Sequence, residues 1–113
     1  MLSILSKLSN IGYFGVMFDR KKLKDIGNLS EDYGLGMFED DDHCKKILKK
    51  GFSIKLAEDS FIHHELSASF SKIDEKKRTE LFEKNKKIYE KKWGKWIAHK
   101  YRQIRPSPTI DLR

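Results

Sequence analysis

The sequence predicts an α/β domain in which a few short strands are flanked by helices. Apolar residues recur at helical spacing in residues 40–50 and 71–93. Two shorter segments, residues 13–18 and 52–56, are apolar or alternate apolar with polar residues, as strands do. At 113 residues the chain is long enough for one domain and a modest core.

Composition and charge limit the classes of function. The net charge of +7 raises the prior for anionic partners, namely nucleic acid, anionic lipid or phosphate-bearing ligands. The single cysteine, Cys44, excludes an internal disulfide and favours a cytoplasmic location. Residues 1–8 lack a basic start and a cleavage site and are too short to cross a bilayer, so neither a signal peptide nor a membrane span is expected.

The first third of the chain is predicted to hold two helices and a strand. Leucines at every third position in residues 2–9 predict a short amphipathic helix. Tyr13–Phe18 is predicted to be a buried strand. Asp19 can cap a helix through Lys24, and Gly27 suits its C-cap, because glycine tolerates the left-handed conformation.

A loop over Asn28–Gly36 leads to the best-defined predicted helix, Asp40–Lys50. Acidic residues occupy its first turn and lysines its last, and Gly51 follows, so every signal agrees with helix polarity. Its predicted core face holds Cys44, Ile47 and Leu48.

Two extended segments follow: Phe52–Leu56 alternates as a strand should, and Ser60–His64 is predicted to be a second strand or an extended segment. A long helix is then predicted from the capping box of Ser71 and Asp74 to Trp93. One or two further helical turns are expected after Gly94. The apolar stripe of the long helix contains Leu81, Phe82, Ile88, Tyr89 and Trp93.

The lysines of residues 76–92 have two interpretations. Interspersed glutamates favour an ordinary solvated face. The alternative is a surface for anionic lipid or another polyanion. A nucleic-acid-binding domain has the charge but lacks a basic motif with interleaved aromatic residues, so no nucleic acid is expected.

Chemistry is concentrated in the carboxylates Glu39, Asp40, Asp41 and Asp42 and in the pair His63 and His64. The acids can simply cap a helix and complement its dipole, or they can carry acid–base chemistry. Asp41 also has the spacing to face the core. Strand alternation would place the two histidine rings on opposite sides, so at most one faces a given site. His43 and His99 are predicted to lie on the surface.

Several segments together resemble the C-terminal half of a family 2 glycosyltransferase with the GT-A fold. The central one reads Gly-Leu-Gly-Met-Phe-Glu-Asp-Asp-Asp-His-Cys over residues 34–44. The resemblance extends over residues 12–93 without a large gap, and the other segments that carry it are residues 14–27, 49–54 and 57–64. It predicts an N-terminal segment at 1–11, a half-domain at 12–101 and a flexible tail at 102–113.

The resemblance implies roles for the site residues. Asp40 would be the catalytic base that deprotonates an acceptor hydroxyl in an inverting transfer, with Glu39 orienting it. Asp42, and with it Asp41, would be an acceptor-binding or structural acid. His64, with His63 as second choice, would lie near a divalent cation, Mn²⁺ or Mg²⁺, in the complete enzyme.

The chain departs from the family pattern because the nucleotide-binding half and its Asp-x-Asp motif are missing. The expected protein is therefore a glycosyltransferase fragment that acts on a nucleotide-sugar and a glycan or lipid-linked acceptor, and that is inactive alone. The alternative is a non-catalytic module that pairs with itself or with a separate nucleotide-binding chain. The resemblance also allows peripheral contact with the inner face of the membrane.

Overall fold

Three α-helices and one two-stranded antiparallel sheet make up the described part of the chain, residues 5–63 and 74–98 of a computed structural model. The α/β class is thus confirmed. In chain order the elements are β1 (Leu5–Leu8), α1 (Arg20–Ile26), a 3₁₀ turn (Glu31–Tyr33), α2 (Glu39–Lys49), β2 (Ile54–Ala57) and α3 (Glu75–Trp93). None of these helices is both long and apolar enough to cross a membrane.

The predicted cap of α1 is confirmed. The side chain of Asp19 accepts hydrogen bonds from the backbone N–H groups of Lys21 at 2.9 Å and Lys22 at 3.3 Å. These bonds satisfy donors that have no partner within the helix. Gly27 ends the helix with φ of 91°, in the left-handed region where a side chain would be strained.

The predicted boundaries of α2 are confirmed to within a residue, and α3 ends at Trp93 as predicted. The described helix begins at Glu75 after the N-cap Asp74, whereas the predicted capping box placed the cap at Ser71. Asp74 caps α3 by accepting from the backbone N–H of Lys76, and Gly94 follows the last helical residue with φ of 90°. Ser71, the other half of the predicted capping box, lies outside the described residues. The predicted turns of helix after Gly94 do not form over residues 95–98.

Residues 2–9 were predicted to be helical, and for the described residues this is wrong. Leu5–Leu8 forms β1, which pairs with β2 in the register Leu5 to Ala57 and Leu8 to Ile54. A helix of two turns is marginal in water, whereas pairing with β2 gives the backbone groups hydrogen-bond partners. Tertiary pairing therefore overrides the leucine spacing.

Two other predicted strands do not form in the described residues. Tyr13–Phe18 has no strand partner and is not buried as a unit, since Met17 is 96% exposed. Its aromatic ends instead pack on the buried imidazole of His43. Residues 60–63 form no strand either, and His64 lies outside the described residues.

The core has two clusters, one on each side of α2. One contains Cys44, Ile47 and Ile54 and joins α2 to the sheet. The other contains Tyr33, Phe38 and Tyr89 and joins the start of α2 to α3. The acidic first turn of α2 lies next to the second cluster, so core packing determines the positions of the predicted site residues.

Candidate functional site

The turn that leads into α2 has an unusual backbone. Met37 and Phe38 have φ of 77° and 74°, so two successive residues other than glycine lie in the left-handed region. Each such residue costs on the order of 1–3 kcal/mol. The ring of Phe38 offsets part of this cost because it is buried against Phe82 at 5.1 Å and Trp96 at 5.0 Å between ring centroids.

A buried amide from α3 holds the same turn. Nδ2 of Asn85 donates to the backbone carbonyls of Tyr33 at 2.9 Å, Gly36 at 2.6 Å and Met37 at 3.2 Å. Asn85 is fully buried, and of the three hydrogen bonds the one to Tyr33 is buried and the other two are partly buried. The amide thereby specifies the path of the chain into the carboxylate run.

Asp42 is fully buried, at 0% exposure, and is the anchor of the run. Its Oδ2 accepts from the hydroxyl of Tyr33 at 2.8 Å and from Nε1 of Trp93 at 3.0 Å, and Nζ of Lys92 lies 3.4 Å away. Nζ of Lys46 is 3.6 Å from Oδ1. Burial opposes ionisation, but these donors and cations together hold the pKa of the Asp42 carboxyl below its usual value.

Asp41 is buried as well, in line with the spacing that allowed it to face the core. Its Oδ2 accepts a 2.9 Å hydrogen bond from Nε1 of Trp96. The backbone N–H of Trp96 in turn donates to Oε2 of Glu90 at 2.8 Å. Asp41 therefore ties the segment after α3 to the start of α2, which is a structural role.

Asp40, the predicted base, is only partly buried. Its Oδ2 accepts from the backbone N–H of Tyr13 at 3.2 Å, and its Oδ1 accepts from the backbone N–H of Asp41 at 2.8 Å. Backbone donors stabilise negative charge and fix the orientation of a carboxylate. Asp40 is thus a positioned, partly exposed carboxylate at the first turn of α2.

Glu39 has one oxygen that is enclosed without a hydrogen bond among the described residues; Oδ1 of Asp42 also lacks one, but Nζ of Lys46 lies 3.6 Å from it. The enclosed atom of Glu39 is Oε2, although the side chain as a whole is partly exposed. Burial raises the pKa of the Glu39 carboxyl, and the charges of Asp40 and Asp41 add to the increase. Backbone hydrogen bonds at Glu39 and Met37 partly offset it.

The surface position predicted for His43 is wrong, since the residue is 2% exposed. Its Nε2 lies 2.8 Å from the carbonyl oxygen of Gly27, and its Nδ1 lies 2.9 Å from the hydroxyl of Tyr13. The carbonyl can only accept, so Nε2 carries a proton, and in the neutral ring Nδ1 accepts from Tyr13. The four-residue spacing from His43 to Ile47 on α2 is the sequence signal from which the buried position could have been predicted.

A cleft of about 610 Å³ lies between α1, the 3₁₀ turn and the start of α2. Its side-chain walls are mainly aromatic and aliphatic, and Glu39 and His43 add titratable groups to the lining. Tyr13 connects this cleft to Asp40, because its side chain lines the cleft while its backbone N–H bonds the Asp40 carboxylate. The other acids of the run do not line the cleft.

Two histidines were predicted as metal ligands. His63 is exposed, and His64 lies outside the described residues. Within residues 5–63 and 74–98, no group of three or more His, Cys, Asp or Glu side chains could hold a metal ion.

Comparison with known proteins identifies no family. No protein-family model matches the sequence, no curated protein matches it, and no solved structure matches the fold. The function is therefore inferred from the residues and their geometry.

Proposed function

We propose that this chain is the acceptor-binding and base-bearing part of an inverting glycosyltransferase. The observation that supports it is how the carboxylate run divides. Asp41 and Asp42 are buried and bonded to tryptophans, whereas Glu39 and Asp40 stay partly exposed at the start of α2. Helix capping alone does not require this division. Asp41 and Asp42 are anchored in the interior, and this holds Glu39 and Asp40 at the surface.

Asp40 is the proposed base. Its carboxylate takes the proton of the acceptor hydroxyl while the acceptor oxygen forms a bond to the anomeric carbon of the donor sugar. The bond from that carbon to the diphosphate oxygen breaks, and its electron pair leaves with the nucleoside diphosphate. Attack on the face opposite the leaving group inverts the anomeric centre.

The cleft beside α2 is the proposed acceptor site. Tyr13 and Phe18 provide aromatic walls against which a sugar ring can pack, and Glu31 and Glu39 provide carboxyls, the second from the residue next to Asp40 in sequence. Tyr13 lines the cleft, and its backbone N–H donates to the Asp40 carboxylate. Tyr13 therefore connects the proposed acceptor site to the proposed base. The nucleotide-sugar and the divalent cation are assigned to a separate nucleotide-binding part.

Binding of acceptor sugars to the purified chain tests this proposal. Saturation-transfer NMR against a panel of glycosides is expected to find a ligand whose affinity falls about tenfold in Asp40→Asn and in Glu39→Gln, the loss of about one charged hydrogen bond. Asp25→Asn, an exposed acid on α1, is the matched control and should leave affinity unchanged. Titration with uridine and guanosine diphosphate sugars, with and without manganese, is expected to show no binding.

A folded chain that binds no sugar would overturn the proposal. Loss of binding in Asp25→Asn equal to that in Asp40→Asn would do the same, because the effect would then reflect general charge. A nucleotide-sugar that binds in a manganese-dependent way would contradict the assignment of the donor site to another part.

An exposed apolar surface favours the second candidate, a non-catalytic assembly module. Met17 is 96% exposed and Phe61 is 78% exposed. Their two segments adjoin, since a Cβ at Gly15 would lie 2.6 Å from Cδ1 of Ile62. Large exposed apolar side chains on adjoining segments are typical of interaction sites. The proposed partner is a second copy of the chain or a separate nucleotide-binding chain.

Light scattering after size-exclusion chromatography distinguishes this candidate. The module hypothesis expects a dimer that dissociates in the double variant Met17→Ser and Phe61→Ser. Leu35→Ser, which alters an exposed leucine elsewhere, is the control and should keep the dimer. A monomeric wild-type chain would remove the self-pairing version of this hypothesis.

A further inference from the structure

The outer surface of α3 carries a row of lysines. We define the lysine face of α3 as Lys76, Lys77, Lys84, Lys87 and Lys91, all exposed. With about 100° of rotation per residue, these five positions fall within an arc of about 100° on the helix. They span about 22 Å along the axis at about 1.5 Å per residue. The opposite side holds the buried Asn85 and Tyr89, so core packing fixes which side faces outward.

The charge of this face is largely uncompensated. Only Glu80 shares the same arc, and the other exposed glutamate nearby, Glu83, lies at its margin. Within the described ranges, no ammonium of the five lysines lies within 4.0 Å of a carboxylate oxygen; the ion pairs there involve Lys46 and Lys92. Five positive charges are therefore available to a partner.

The positive charge continues past the end of α3, because the exposed Lys95 follows the helix. The row of five lysines is longer than one small anion needs, which indicates an extended anionic partner.

The chemistry of the face favours a lipid surface over nucleic acid. Single-stranded nucleic acid is bound by exposed aromatic rings in a basic groove, whereas Phe82, Tyr89 and Trp93 of α3 all pack into the core. The face also contains no arginine, the residue that binds nucleic-acid phosphates in a fixed bidentate geometry. A convex row of lysines is suited to the diffuse attraction of an anionic bilayer.

We propose that the lysine face of α3 docks the protein onto membrane surfaces rich in anionic lipid. The apolar side of α3 stays packed on Phe38 and Tyr33, so binding is electrostatic and no apolar side chain of the helix enters the bilayer. Attraction of this kind is reversible and weakens as salt rises, because ions screen exposed charges. The proposal is independent of sugar transfer.

Vesicle co-sedimentation of the full chain tests it. The chain is expected to bind phosphatidylcholine vesicles that contain about one quarter phosphatidylserine, and not pure phosphatidylcholine, at about 50 mM salt. Each lysine near such a surface contributes about fivefold to partitioning. Lys84→Gln, Lys87→Gln and Lys91→Gln together should therefore lower binding about 100-fold, and about 300 mM salt should abolish it.

The matched control is the triple variant Lys21→Gln, Lys24→Gln and Lys55→Gln, which removes the same three charges from α1 and β2. It should change binding less than about fivefold, and circular dichroism should show both variants folded. An equal loss in both triple variants would overturn the proposal, because net charge alone would then explain binding. Absence of binding by the wild-type chain, or a nucleic-acid duplex that displaces it from vesicles, would overturn it too.

Discussion

The indole N–H of Trp93 donates a 3.0 Å hydrogen bond to Oδ2 of Asp42, although 51 residues separate them in sequence. The hydroxyl of Tyr33 donates to the same oxygen at 2.8 Å. One buried carboxylate therefore joins α2, α3 and the 3₁₀ turn. This junction therefore fixes the positions of the neighbouring acids Glu39, Asp40 and Asp41.

Replacement of this carboxylate should be costly. Asp42→Ala leaves the N–H of Trp93, the hydroxyl of Tyr33 and the nearby Lys92 without their acceptor, and we expect a loss of about 3–5 kcal/mol in the free energy of unfolding. Urea denaturation measures it. Asp25→Ala, at an exposed site, should change stability by less than about 1 kcal/mol. Equal losses in the two variants would contradict the role of Asp42 as an anchor.

Replacement of Glu39 should stabilise the protein, in contrast to replacement of Asp42, and the size of this effect should depend on pH. Its pKa is raised in the folded state, so its contribution to stability is fully present below the unfolded value of about 4.3 and is lost as pH rises through the folded value. Glu39→Gln should therefore gain stability relative to the wild type as pH rises above about 4.3, by less than about 1 kcal/mol because solvent screens this partly exposed carboxyl. Thermal unfolding as a function of pH measures the difference.

Glu83→Gln, an exposed glutamate on α3, is the control for that series. As a surface substitution it should change stability by less than about 0.5 kcal/mol. A stability difference between Glu39→Gln and the wild type that does not change with pH would show that the enclosed oxygen of Glu39 carries no electrostatic cost.

The amide of Asn85 should control the order of the turn before α2. Asn85→Leu keeps the size of the side chain but removes the donor shared by the carbonyls of Tyr33, Gly36 and Met37. We expect a loss of about 2–4 kcal/mol in the free energy of unfolding, since three carbonyls lose their donor and the bond to Tyr33 is buried. Hydrogen exchange of residues 33–38 should accelerate, whereas Thr79→Leu on the exposed side of α3 should leave it unchanged. Unaltered exchange in Asn85→Leu would refute this role.

The imidazole of His43 should occupy one tautomer. Because its Nε2 faces the carbonyl of Gly27, nitrogen NMR at neutral pH should show the proton on Nε2 and not on Nδ1. Tyr13→Phe removes the hydroxyl at Nδ1 and should cost about 1 kcal/mol. A signal for the Nδ1–H tautomer in the wild type would contradict the arrangement.

The helices could be predicted because their signals are local. Asp19 and Gly27 mark α1, and Asp74 and Gly94 mark α3, each within a few residues of the helix end that it caps. By contrast, the leucines of residues 2–9 satisfy a local helical pattern, but the partner that makes Leu5–Leu8 a strand lies about 50 residues later. No local spacing contains that information.

The position of the acidic run at the start of a helix could be predicted from the sequence, but the contacts of its side chains could not. The carboxylate run at the start of α2 was found from its acidic residues, and the possibility that Asp41 faces the core is confirmed. The partners of Asp41 and Asp42 are tryptophans 55 and 51 residues away, so their anchoring depends on a tertiary contact. Burial of His43 could have been predicted from its helical spacing to Ile47. The oxygen of Glu39 that lacks a hydrogen bond could not have been predicted from the sequence.

The link between Asp42 and Trp93 also has a consequence for biosynthesis. A ribosome releases the acidic turn of α2 well before it releases the indoles at positions 93 and 96, so for that interval Asp41 and Asp42 have no tryptophan to bind. A nascent chain that stops short of residue 93 therefore exposes a bare acidic turn. Both acids gain their indole partners only after synthesis has passed residue 96.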